Sequence, residues 1–186
     1  MCDAVEGLFL NEPSFAELTA AATRAAIDGL DVVFLSDGPL GDPITLAAAL
    51  SAVTAGILLG VRTTLRAHPA MVAREMTTLD HVSSGRAVLA FVPPFSGATT
   101  EGVALCRAMF RDGTAVSIGP HYPVPGAVNL PRPLTPGGPP IALDATGSDT
   151  PVPSLVALCD LVLVPAGTPP PAALPAGVRV CQIHTA

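Results

Sequence analysis

The sequence predicts an α/β protein, a truncated β/α barrel with about six or seven mainly parallel strands. Three observations predict it. Short apolar runs that read as strands recur with helical patterns between them, at a spacing of roughly 25–30 residues, the length of one βα unit. The clearest of these runs is apolar without a break, as a strand covered by helices on both faces must be. The chain's 186 residues also fall short of the roughly 250 that a complete eight-stranded barrel takes.

The first strand is read at residues 5–10. The first helix opens at Pro13-Ser14, carries Phe15, Leu18, Ala22, Ala25 and Ala26 on one face, and stops at Gly29. A second strand follows at 32–35. Asp42-Pro43 is an N-cap with proline at the first helical position, and the second helix behind it carries Ile44, Leu46, Ala47, Leu50 and Val53. The third strand spans 57–65. Pro69 opens the third helix, where Val72, Met76 and Leu79 recur at helical spacing, and Ser83-Ser84-Gly85 turns the chain into a fourth strand at 87–92. A fourth helix is expected at 101–111. Four such units in series argue for a parallel sheet, and right-handed crossovers let it curl into a barrel.

Regularity ends there. Gly and Pro make up more than half of residues 119–140, too many for a helix. Residues 112–140 are therefore expected to form an irregular excursion, with a short antiparallel pairing of 115–118 with 127–130. Strands resume at 141–145, 161–164 and 178–183, and a proline cluster at 165–175 stands where a helix would join the last two. Residues 1–186 read as one domain with a shortened C-terminal part.

Composition narrows the function. Residues are 49% hydrophobic and 13% charged, so much of the surface is uncharged and burial against a partner is expected. All nine basic residues are arginines, spread from Arg24 to Arg179 without forming a stripe, which excludes a nucleic-acid footprint. The longest apolar stretch, 44–61, is broken by Ser51, Thr54 and Gly56 and reads as a buried helix plus a strand, so no membrane span is expected. The chain opens MCDAVEG, unlike the basic start and apolar run of a secretory signal, and a cytoplasmic protein is expected. Cys2, Cys106, Cys159 and Cys181 show neither CxxC nor metal-type spacing; they read as buried free thiols, with no metal site. No serine elbow, P-loop, HExxH or GxGxxG is present, which removes the common hydrolase, NTPase, zinc-protease and Rossmann readings.

Three ordered stretches point to one family. HPAMVAREMTTLDHVSSGRAVLAF (68–91), GLDVVFLSDGPLGDPITLAAALSAVTAGILLG upstream and HYPVPGAVNLPRPLTPGGPPIAL downstream resemble the luciferase-like flavin-dependent monooxygenases, over about residues 4–147. The resemblance implies a TIM-type barrel, usually dimeric, that uses reduced FMN or a deazaflavin coenzyme with its ring at the C-terminal mouth. By position it implies cofactor contacts from Ser36 and Asp37 after the second strand, Thr63 and Thr64 after the third, and Val92 and Pro93 after the fourth. Gly147 and Ser148, after the fifth, match the loop that grips the phosphate, and backbone amides at a helix start suit that task.

The sequence also departs from the family. Ser36-Asp37-Gly38 stands where bacterial luciferases carry a catalytic His, and Phe91-Val92-Pro93-Pro94 where glycines let the ring approach. Acidic Asp149 follows the phosphate loop, and most of the family's C-terminal region has no counterpart. Asp37 and His68 are the catalytic candidates. Asp37 before Gly-Pro is equally a turn residue, and His68 before Pro69 reads first as a local turn contact. His81 at a helix end suits the helix dipole, while Arg74 and Arg86 read as partners for Asp80 or for helix-end carbonyls.

The function implied is that of a luciferase-like oxidoreductase, which oxidises an organic substrate with molecular oxygen through a flavin. The alternative is a non-catalytic flavoprotein or partner subunit that keeps the fold without the active site. FMN is the expected cofactor, with a deazaflavin coenzyme or none as alternatives. The expected partner is a second copy or a full-length family member, docked through the second and third helices.

Overall fold

The computed structural model describes residues 5–65, 67–147, 149–169, 171 and 174–184. Seven parallel strands form a closed barrel in the order β1 (Val5–Leu10), β2 (Val32–Leu35), β3 (Leu58–Thr63), β4 (Ala87–Phe91), β7 (Ile141–Asp144), β8 (Leu161–Pro165) and β9 (Arg179–His184). The sheet needs no eighth strand to close: β9 pairs with β1 through Val5↔Cys181 and Gly7↔Ile183. Between β4 and β7 the chain makes the antiparallel hairpin of β5 (Thr114–Ser117) and β6 (Val124–Val128).

Helices α1 (Phe15–Ile27), α2 (Pro43–Ser51), α3 (Pro69–Val82) and α4 (Gly97–Asp112) follow the first four barrel strands. Each begins on a side chain that accepts from an otherwise orphaned backbone N–H: Ser14 from Glu17, Asp42 from Thr45, His68 from Ala70 and Ser96 from Thr99. Helix α4 starts four residues earlier than expected, because Ser96 and Thr99 cap each other reciprocally ahead of the anticipated start. On α1, Leu18, Ala22 and Ala25 are buried, while Phe15 lies at the helix start and is exposed. The β7–β8 connection holds a single helical turn, α5 (Pro153–Val156), and the described residues between β8 and β9 contain no helix.

Two apolar cores follow from the two faces of the strands. The outer one lies between barrel and helices, with Leu35, Leu59, Leu89 and Leu143 meeting Met76, Leu79, Val103 and Met109. The inner one fills the barrel with Val32, Phe34, Val88, Ala90, Leu163 and Ile183. Large and small residues alternate to fit the narrow interior: the Phe34 ring lies over Gly60, where a Cβ would sit 2.1 Å from its Cδ1.

The excursion is fastened by two carboxylates, one of them buried. Asp80, fully buried, accepts from the Thr135 amide and hydroxyl, both at 2.7 Å. Glu101 accepts from the amides of Tyr122 (2.8 Å) and His121 (3.0 Å) and from the Ser117 hydroxyl (3.1 Å). Asp80 is thus paired with Thr135, whereas Arg86 spends its donors on the carbonyls of Ser51, Ile57 and Ser83. His81 Nε2 lies 2.8 Å from the Arg132 carbonyl oxygen, a tie to the excursion.

Candidate functional site

Inward positions alternate along each strand, so the inner core continues upward into the residues at the strands' C-terminal ends. Beyond Phe34 comes Ser36, beyond Gly60 comes Arg62, and beyond Ala142 comes Asp144. These three side chains meet. Arg62 Nη1 donates to Ser36 Oγ at 2.7 Å, and Arg62 Nε and Nη2 both donate to Asp144 Oδ2, the former at 3.0 Å. The guanidinium lies 3.9 Å from the centre of the Phe9 ring, and Phe9 meets Phe34 edge-on at 6.0 Å. The Asp144 side chain is 2% exposed and that of Arg62 22%, so this ion pair forms a polar floor between the apolar barrel interior and the mouth.

The hydrogen-bond inventory of the floor is uneven. Asp144 Oδ1 accepts from the Thr146 amide (3.0 Å) and hydroxyl (2.6 Å), which with the two bonds from Arg62 fills the roughly four lone-pair sites of a carboxylate. Among the described residues, Arg62 keeps one uncommitted N–H on each terminal nitrogen.

The residues expected from the sequence spread around this floor. Asp37 and Thr63 line a cavity of about 190 Å³ together with Arg62, Asp42 and Glu75. Partial burial, reinforced by the nearby charge of Asp42, raises the Glu75 carboxyl above the ordinary glutamate value. Thr63 Oγ1 accepts from the Leu65 amide at 3.3 Å, and the Thr63 carbonyl accepts from Val92 N at 3.0 Å, tying the two strand ends together. Thr64 is exposed, and Val92 and Pro93 are half-buried. Gly147 lines a different, larger cavity of about 510 Å³ with Asp149, Val162, Val164 and several prolines; no cation is among its described lining residues. Ser148 and Cys2 lie outside the described residues. The helix after Gly147 is the one-turn α5, which begins only at Pro153.

His68 caps α3 through Nδ1 and sits edge-on to Tyr122 at 5.5 Å. Sequence reasoning missed Arg62, Asp144 and Phe9. A usable signal was strand alternation: Arg62 and Asp144 are charged residues two positions beyond small inward ones, Gly60 and Ala142, near the end of an otherwise apolar strand. Cys106, Cys159 and Cys181 are buried free thiols, each pushed up to about 12 chiefly by burial, and so are inert as nucleophiles. Among the described residues no group of His, Cys, Asp or Glu is arranged to hold a metal ion, and no helix is long and apolar enough to cross a membrane.

Comparison with known proteins places the fold. The family described as luciferase-like monooxygenase matches residues 5–98, 94 of the chain's 186. No curated protein matches the sequence. Among solved structures, the coenzyme F420-dependent tetrahydromethanopterin reductase of Methanopyrus kandleri superposes with a TM-score of 0.73 at 18% identity, over 89% of this chain and 56% of its own. A monooxygenase from Streptomyces bottropensis gives 0.69 at 22% identity, over 89% and 60%. The oxygenating constituent of 3,6-diketocamphane monooxygenase, a type II Baeyer-Villiger enzyme from Pseudomonas putida in complex with FMN, gives 0.66 at 17%, over 88% and 59%. These likenesses are of fold, and the chain spans between 56% and 60% of the length of each.

Proposed function

Because this chain belongs to the luciferase-like monooxygenase family, we propose that its barrel mouth holds a flavin-type ring and that it acts as an oxidoreductase, oxygenating an organic substrate. The observation that carries the reading is the Ser36–Arg62–Asp144 cluster on the Phe9–Phe34 pair. It is a polar floor at the strand ends where barrels of this type do their chemistry.

The donor set of the floor fits such a ring. Flavin and deazaflavin rings are apolar on their faces and rich in acceptors along the pyrimidine edge. Part-buried Phe9 supplies apolar surface, Arg62 supplies donors, and both oxygens of Asp144 are already engaged. Thr63 and Asp37 stand at the rim of the adjoining cavity, and Ser36 and Asp144 hold the guanidinium plane in place. The bound group supplies electron transfer and, when reduced, reactivity toward oxygen; the chain orients it and excludes water. The phosphate end fits less well, because Gly147 lies beside Asp149 in a cavity with no cation in its described lining. FMN is the cofactor we adopt, with a deazaflavin as the alternative; the comparison set holds an F420-dependent enzyme and an FMN complex.

The test is a titration of the purified protein with FMN and with F420, followed by absorbance and fluorescence. Expected is a protein that purifies with little flavin and takes up added cofactor with a perturbed spectrum. Failure to bind either in any redox state removes the reading.

A second reading has its own support. The lack of a cation among the described residues lining the Gly147 cavity favours a flavoprotein or partner subunit without independent catalysis. Oxygen consumption with reduced flavin separates the two: turnover by the chain alone supports the enzyme, and turnover that needs a full-length family member supports the subunit. In either case we propose pairing through α2 and α3, where Thr45, Ala49 and Met71 are exposed, and a cytoplasmic setting.

A further inference from the structure

We propose that Arg62 is the residue that makes this site prefer the reduced form of its ring, by donating its two remaining N–H groups to the N1–C2=O edge. The inference rests on the flavin-dependent reading and deepens it.

The argument begins with what Arg62 has left to give. Of its five N–H donors, Nε–H and one on Nη2 go to Asp144, and one on Nη1 goes to Ser36. One donor on each terminal nitrogen remains uncommitted among the described residues, and both lie in the plane of the guanidinium. That plane is fixed from three sides, by the Phe9 ring at 3.9 Å, by Ser36 and by Asp144. Asp144 has no lone pair to offer, because Thr146 takes the side that Arg62 does not. The unspent hydrogen-bonding capacity of the Arg62–Asp144 pair is therefore donor only, and it is held in a fixed plane. A site of this kind selects for acceptors, and more strongly as they gain charge.

The pyrimidine edge of a flavin or deazaflavin is such an acceptor pair. Two electrons and one proton added to the ring leave one negative charge shared between N1 and the C2 oxygen. Donors aimed at that edge bind the oxidised ring as a neutral acceptor and the reduced ring as an anion. Arg62 thereby raises the midpoint potential of whatever ring is bound, without itself exchanging a proton.

The experiment measures dissociation constants of FMN and F420 for the oxidised and dithionite-reduced forms, and the midpoint potential against a reference dye under anaerobic conditions. Three proteins are compared: wild type, Arg62→Lys, and the double variant Arg62→Met with Asp144→Asn. The lysine variant keeps the charge opposite Asp144 and loses the planar pair of donors. The double variant removes both charges together, so no ion is stranded in the floor. Expected is at least a tenfold loss of reduced-form affinity in both variants, with oxidised-form affinity changed less than threefold. A tenfold change in that ratio lowers a two-electron potential by about 30 mV. Equal losses in both redox states, or unchanged potentials, overturn the role of Arg62 while leaving the flavin reading standing. A wild-type protein that binds neither cofactor in either state overturns both.

Discussion

Replacing Asp144 by Ala removes the carboxylate that accepts four hydrogen bonds at the barrel mouth and leaves the Arg62 guanidinium without a counter-ion. Breaking a buried pair from one side costs about 3–5 kcal/mol, because the surviving charge is uncompensated. Arg62 keeps 22% of its side-chain surface in water and retains Ser36 and the Phe9 face, so the loss belongs at the low end, about 3 kcal/mol. For a domain of this size 1 kcal/mol moves Tm by roughly 2–4 °C, and Asp144→Ala should therefore melt roughly 6–12 °C below wild type. Urea unfolding of Asp144→Ala, Arg62→Met and the double variant completes a thermodynamic cycle. The double variant should be more stable than Asp144→Ala alone, since no stranded charge remains. A loss below about 1 kcal/mol, in the range of a surface ion pair, would refute the claim that Asp144 holds Arg62 from a buried position. So would strictly additive single variants.

Three further outcomes follow from other parts of the molecule. Gly60→Ala drives a methyl group into the Phe34 ring and should cost about 1–3 kcal/mol by overpacking; Phe34→Leu in the same chain should restore part of it, and a neutral Gly60→Ala counts against the described packing. Although burial pushes the Glu101 carboxyl up, the amides of Tyr122 and His121 with the Ser117 hydroxyl outweigh it and hold the group below the ordinary value of 4.5. The stability it contributes is full above that value and is lost as pH falls through the lower folded-state value. The Tyr122 amide resonance should accordingly titrate with a midpoint below 4.5, and a midpoint at or above it removes the account. Sedimentation should give a dimer at micromolar concentration that Met71→Asp converts to monomer; a monomeric wild type rules out the α2–α3 contact.

Much of the fold was legible because its signals are local. The apolar run at Ala87–Phe91, the Asp42-Pro43 cap and the glycine at Gly29 each act within a few residues. The start of α4 was missed for a local reason too: Gly97 and Thr99 are poor helix formers, and only the reciprocal cap with Ser96 carries the helix back to them. The site was less legible. Position in the chain marked Ser36, Asp37 and Thr63 near the mouth, but Arg62 and Asp144 stand 82 positions apart. Their meeting depends on the register β3–β4–β7, in which Arg62 pairs with Ala90 and Ala90 with Ala142. The Gly147 loop looked suited to a phosphate as the start of a helix, but the helix behind it is one turn long.

The seam between β9 and β1 bears on how the chain reaches this shape. Val5 pairs with Cys181 across 176 positions, whereas Gly7 pairs with Val32 across 25. Loop-closure entropy grows with the logarithm of the span, so the seam is dearer than a neighbouring contact by roughly 1.7 kcal/mol, more than a factor of ten in probability. Successive βα units can therefore assemble while the two ends of the sheet are still apart. Until the seam zips, β1 and β9 both present unpaired backbone to solvent, the template for strand addition between molecules. Glu6 and His184, whose side chains meet at 2.6 Å across the seam, put polar groups on those open edges. Refolding yield should thus fall with protein concentration because of events at this one junction, while the rest of the barrel is already in place.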